Sequence, residues 1–159
     1  MEALVENNGI KNGKAHILMC KQVVIDYDAP IQQVEVFGVK YISDDVLKTK
    51  LNMTGIGEKV ELTLFDLGPR ISHDKAKTVI KSHGIEPAGL HETFHFTRFL
   101  HELPDQEFNV TALRDEMVDR YVEFVPTIYS PGKNKARIIM AFRDDLPFKH
   151  SYFLGVKKL

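Results

Sequence analysis

Residues 91–95 read His-Glu-Thr-Phe-His, a spacing with a definite chemistry. On a helix, histidines at i and i+4 share one face a turn apart, where their neutral imidazoles can hold zinc while the glutamate between them activates a metal-bound water. His91 and His95 would be ligands, Glu92 the general base, and the reaction a metal-assisted hydrolysis. His101 follows six residues after His95 and could supply a third ligand. A second cluster, Asp144, Asp145, Phe148 and His150, puts carboxylates, an aromatic ring and an imidazole on one short segment that could meet a ligand or partner. Adjacent aspartates are more often turn formers than acid–base pairs, because successive side chains diverge. No G-x-S-x-G elbow frames a serine nucleophile.

The elements needed to position the first motif argue against zinc. Its spacing resembles the metzincin pattern H-E-x-x-H-x-x-G-x-x-H, but Arg98 stands where that pattern needs the glycine that turns the chain back toward the metal. Phe96, Phe99, Leu100 and Leu103 keep the period of one apolar face as far as Pro104, so an unbroken helix is expected over 89–103. A residue six positions further along such a helix lies about 9 Å up the axis and cannot reach the same ion. His91, His95, Arg98 and Glu102 fall within about 60° of one another and read as a solvated stripe closed by an Arg98–Glu102 pair. Gly89 as N-cap puts Glu92 at the third helical position, where its carboxylate caps a free N–H. The five-residue pattern also arises by chance in about 2% of shuffled chains of this composition. No metal or cofactor is therefore expected. A zinc-dependent, metalloprotease-like hydrolase stands as the alternative.

Around this segment, Ala15 to Tyr27 is β-branched and apolar and predicts one long or two short strands; Cys20 within it is expected to be buried and inert. Residues 30–37 fit either a short helix opened by Pro30 and closed by Gly38 or a strand. Ser43 caps a short helical turn. The glycines of Thr54–Gly57 lead into an alternating strand over 59–65, which makes them a plain turn rather than a phosphate loop. Ser72 caps a helix ended by Gly84, with Ala76, Val79 and Ile80 inward and His73 and His83 at its surface ends. Residues 111–117 suggest a further helical turn, and strands follow at 122–129, 135–142 and 152–157.

With 159 residues, 43% hydrophobic and 27% charged, the chain suits a single domain over 14–159 behind a flexible arm at 1–13. A net charge of −1 gives no general field for nucleic acid or membranes, and neither partner is expected. One cysteine excludes an internal disulfide framework and points to a reducing, cytoplasmic setting. Helices followed by clustered strands predict an α+β fold.

The flanking residues carry a resemblance. Ile25-Asp26-Tyr27-Asp28-Ala29-Pro30, the run from Val60 to Ser72, Pro87-Ala88-Gly89-Leu90-His91-Glu92 and the closing Tyr152-Phe-Leu-Gly-Val-Lys-Lys158 resemble, in order and spacing, a family of small uncharacterised bacterial proteins. Its pattern runs V-D-Y-x-x-P, R-Y-I-S, R-P-A-T-L-x-E-L-L and R-F-L-A-V-R-K. In this register Glu92 matches a recurring glutamate, whereas His91 and His95 match no fixed histidine. The end of the chain is also similar to C-type-lectin-like domains of the formylglycine-generating kind. That likeness implies two helices followed by antiparallel strands in the C-terminal half, with loops that present a ligand. It does not imply that enzyme's oxidation, which needs paired cysteines. The expected role is a non-catalytic interaction or ligand-binding module for a protein or small-molecule partner.

Overall fold

The computed structural model describes residues 3–4, 14–49, 51, 54–68, 71–115, 117–119, 122–132, 134–142 and 150–159. Alternating apolar side chains build its central layer. Among the described residues ten strands form one mixed sheet: β1 (Ala3–Leu4), β2 (Lys14–Ile25), β3 (Val39–Ile42), β4 (Glu58–Asp66), β5 (Glu86–Pro87), β6 (Phe108–Thr111), β7 (Met117–Asp119), β8 (Val122–Ser130), β9 (Ala136–Phe142) and β10 (Ser151–Lys158). The main order is β1-β2-β4-β10-β6-β8-β9-β3, with β5 beside β10 and β7 beside β8. Most neighbours are antiparallel, but β10 runs parallel to β6, and β3 parallel to β9. The C-terminal strand thus lies between β4, in the first half of the chain, and β6. The fold is α+β, with a large sheet and few helices.

Strand parity divides the core in two. Leu62, Leu64, Ile128, Ile138 and Leu154 point to one face and pack with α3 (Leu90–Phe96) through Leu90, Phe94 and Phe96. Phe65, Val125 and Phe153 point to the other and meet Ala76, Val79 and Ile80 of α2 (His73–Ser82). The sheet is therefore a middle layer between helices. On β10, Gly155 keeps β5 close, since a Cβ there would stand 2.7 Å from Ile85 Cγ2.

Local signals account for several elements. Ser72 Oγ accepts from Lys75 N at 3.1 Å to cap α2, and Ser43 caps the single turn α1 (Asp44–Leu47). The turn at Thr54–Gly57 precedes β4 and is tied back by Tyr27 N to Gly55 O at 2.7 Å and Gly55 N to Asp28 Oδ1 at 3.1 Å. Residues 30–37 make neither the helix nor the strand but a 3₁₀ turn at Ile31–Gln33.

Other expectations are corrected. The described residues of 111–117 are not helical: Thr111 ends β6, Ala112 N binds Pro126 O and Arg114 N binds Ala88 O, so tertiary partners take the donors a helix would use. Cys20 is exposed, because it shares the outward parity of Gln22 and Val24. His73 is buried against the Phe153 ring rather than lying at the surface. Of the arm at 1–13, only Ala3 and Leu4 lie within the described residues, paired with β2. No helix among the described residues is long and apolar enough to cross a membrane.

Candidate functional site

The helix that carries the HExxH motif starts where β5 ends, and its first turn is sealed by charge. Gly89 is the N-cap. Glu92 Oε1 accepts from Gly89 N at 2.6 Å and also pairs with Arg114 Nη2 at 2.6 Å, although the Glu92 side chain is fully buried. Asp115 Oδ2 accepts from Leu90 N at 2.7 Å. Two carboxylates thus satisfy the Gly89 and Leu90 donors of the helix start, and Arg114 neutralises the buried one. Beside them Tyr27 is 4% exposed; burial first, and then the Glu92 charge, push its phenol above its ordinary range.

The histidines of the motif have separate surroundings. His91 is buried, edge-on to Tyr27 at 5.4 Å, and its Nε2 lies 2.9 Å from Ala29 O. A carbonyl only accepts, so Nε2 carries the proton of that bond. His95 is half-buried, with Nδ1 3.5 Å from Arg98 Nη2. His101 is exposed on a 3₁₀ segment, Thr97–Glu102, that replaces the end of the expected helix. Among the described residues no three His, Cys, Asp or Glu side chains converge as metal ligands. The solvated stripe is also corrected. His91 is inside, and Glu102 pairs with Lys21 of β2 at 2.7 Å instead of with Arg98. The change to three residues per turn after Phe96 shifts every later side chain off the α-helical wheel.

His95 gives a pH prediction. Burial, then Arg98, then His91 lower it from 6.5 to about 4. The unfolded chain therefore binds the proton more readily between these values. Stability is fully present above about pH 6.5 and is lost as pH falls through about 4. After discounting for solvent screening of a half-exposed ring, the loss is about 1–2 kcal/mol. Urea titrations across this range should show it, and His95→Gln should flatten that part of the profile.

A cleft of about 240 Å³ opens where the 3₁₀ segment faces the β8–β9 turn. Phe37, Leu100 and Pro104 supply apolar wall, and His101, Gln106 and Asn134 bring polar groups. Asn134 holds a left-handed φ of 59°, as a short polar residue can, and stands against Gly38. Ser130 Oγ donates to Gly132 O at 3.0 Å and folds the turn. Gln106 Nε2 donates to the Tyr152 hydroxyl at 3.4 Å, which holds the amide in place. His101 is thus the one residue of the expected hydrolytic set that lines this cleft. The other lining residues form no sequence motif; only the turn residues at 130–134 marked their place.

His150 is half-buried, and its carbonyl accepts from Asn109 N at 3.0 Å. Asp144, Asp145 and Phe148 lie outside the described residues. Compared with protein-family profiles, curated proteins and solved structures, the chain matches none.

Proposed function

We propose that the chain is a non-catalytic binding module that takes a small organic ligand in the cleft between the Thr97–Glu102 segment and the β8–β9 turn. The supporting observation is the contrast between two places. At the helix start, Glu92 and His91 are engaged in buried bonds that hold the fold, whereas the cleft has apolar wall and the exposed polar side chains of His101 and Asn134. The C-type-lectin-like reading of the C-terminal half and the kinship with the small bacterial family belong to the same proposal. In that reading ligands meet loops between closing strands, and Ser130, Gly132 and Asn134 come from such a loop.

Amide chemical shifts recorded against a fragment library test this. Binding fragments should move Thr97, His101, Gln106 and Asn134 together, and His101→Ala should weaken them about tenfold with unchanged thermal stability. The contrary result is zinc that perturbs His91 and His95 and confers peptide hydrolysis that Glu92→Gln abolishes. That outcome would restore the hydrolase.

A further inference from the structure

The side of the sheet that α2 covers is open at its far end. Residues paired across neighbouring strands share a face, and Arg137 of β9 is paired with Tyr129 of β8 on one side and with Tyr41 of β3 on the other. Ala136 and Ile138, on either side of Arg137 in sequence, point into the α3 core, so this row points the opposite way. α2 packs that second face at Val125, Phe65 and Phe153. Arg137 and Tyr41 are exposed, Tyr41 by 52%. Lys40, at the register shift of the edge strand β3, and Lys135, just before β9, complete the rim of a concavity of about 400 Å³.

Three cations and an exposed ring line this place with no carboxylate among its walls. Among the described residues, no ion pair engages Lys40, Lys135 or Arg137. The overall charge of −1 therefore conceals a local cluster of positive charge that no carboxylate among the described residues pairs. Cations with an exposed ring on an open sheet face match a phosphate backbone with unstacked bases: the cations take phosphates and the ring takes the flat face of a base. An acidic peptide would use the charge but leave the ring without a stacking partner. A duplex would offer phosphates but keep its bases inside.

We propose that the open face of β9 and β3 binds a short stretch of single-stranded nucleic acid, with a base stacked on Tyr41 and phosphates held by Lys40, Lys135 and Arg137. The site is independent of the cleft ligand proposed above. Fluorescence anisotropy with a labelled oligothymidylate of about ten nucleotides tests it at low salt. Three phosphate contacts predict a slope of log K against log salt of about −2. Arg137→Ala should weaken binding and reduce that slope by about 0.7. Tyr41→Ala should weaken it about tenfold and keep the slope, while Tyr41→Phe binds as the parent does. Both side chains are exposed, so melting temperatures should stay unchanged. Absence of binding at low salt, equal affinity for the matching duplex, or indifference to Tyr41→Ala and Arg137→Ala would each overturn the proposal.

Discussion

Glu92→Ala should lose about 3 kcal/mol of stability. Two losses combine. The Gly89 N–H forfeits its 2.6 Å partner, and Arg114, only 24% exposed, keeps no carboxylate closer than Asp115 at 3.8 Å. Asp115 cannot replace the missing carboxylate, because its nearest approach to the guanidinium is 3.8 Å and its other oxygen is engaged by Leu90 N. Glu92→Gln should cost about half as much, since an amide oxygen still accepts from Gly89 N but no longer balances Arg114. The double change Glu92→Met with Arg114→Met removes both charges and should recover much of the loss, so the two sites are strongly coupled. Denaturant titrations with an unchanged m-value would show these differences as shifts of the midpoint. A zinc hydrolase predicts the reverse pattern for Glu92→Gln: intact stability and abolished turnover.

That result bears on how far the residues reveal their own arrangement. The capping role of Glu92 is legible from Gly89 three positions earlier, because a helix start needs acceptors whatever surrounds it. The α2 helix and the strands β8, β9 and β10 are legible for the same local reasons: a serine cap, a closing glycine, β-branched runs and a Ser-Pro-Gly turn. Arg114 is not legible as the partner of Glu92. It lies in a segment whose propensity suggests a helix, yet Ala88 O and Pro126 O take the backbone donors of Arg114 and Ala112, and this places the guanidinium beside α3.

The burial of His91 is missed for a related reason. Amphipathic periodicity assumes one covered face, but Leu90 to Phe94 are all buried, because α3 meets the sheet on one side and the Tyr27–Ala29 segment on another. Neither the cleft nor the open sheet face can be read from spacing. The cleft joins Phe37 to His101 and Asn134, and the basic face joins Tyr41 to Arg137 through the parallel pairing of β3 with β9. A pairing between strands so distant in sequence leaves no local signal.

Gly89 is where local propensity and tertiary structure give predictions of opposite sign. At an N-cap, serine or asparagine is ordinarily at least as good as glycine, and Gly89 has φ −122° and ψ −158°, which any residue adopts. Local reasoning therefore expects Gly89→Ser to be neutral or stabilising. In the folded chain, however, a Cβ at this position would collide with Asp115 Oδ2 and Arg114 Nη2. Those atoms end flexible side chains, but they are pinned, one by Leu90 N and the other by Glu92, so moving aside means giving up those bonds. Gly89→Ser and Gly89→Ala should each cost about 2–3 kcal/mol, the sum of overpacking and a weakened buried pair. The cost should shrink in an Arg114→Met background, where the guanidinium no longer needs the space, although that background begins with an unpaired Glu92. Equilibrium unfolding of the four proteins in this cycle separates the accounts. A stabilised Gly89→Ser would mean that the buried pair yields without loss, and it would then also contradict the cost assigned to Glu92→Ala.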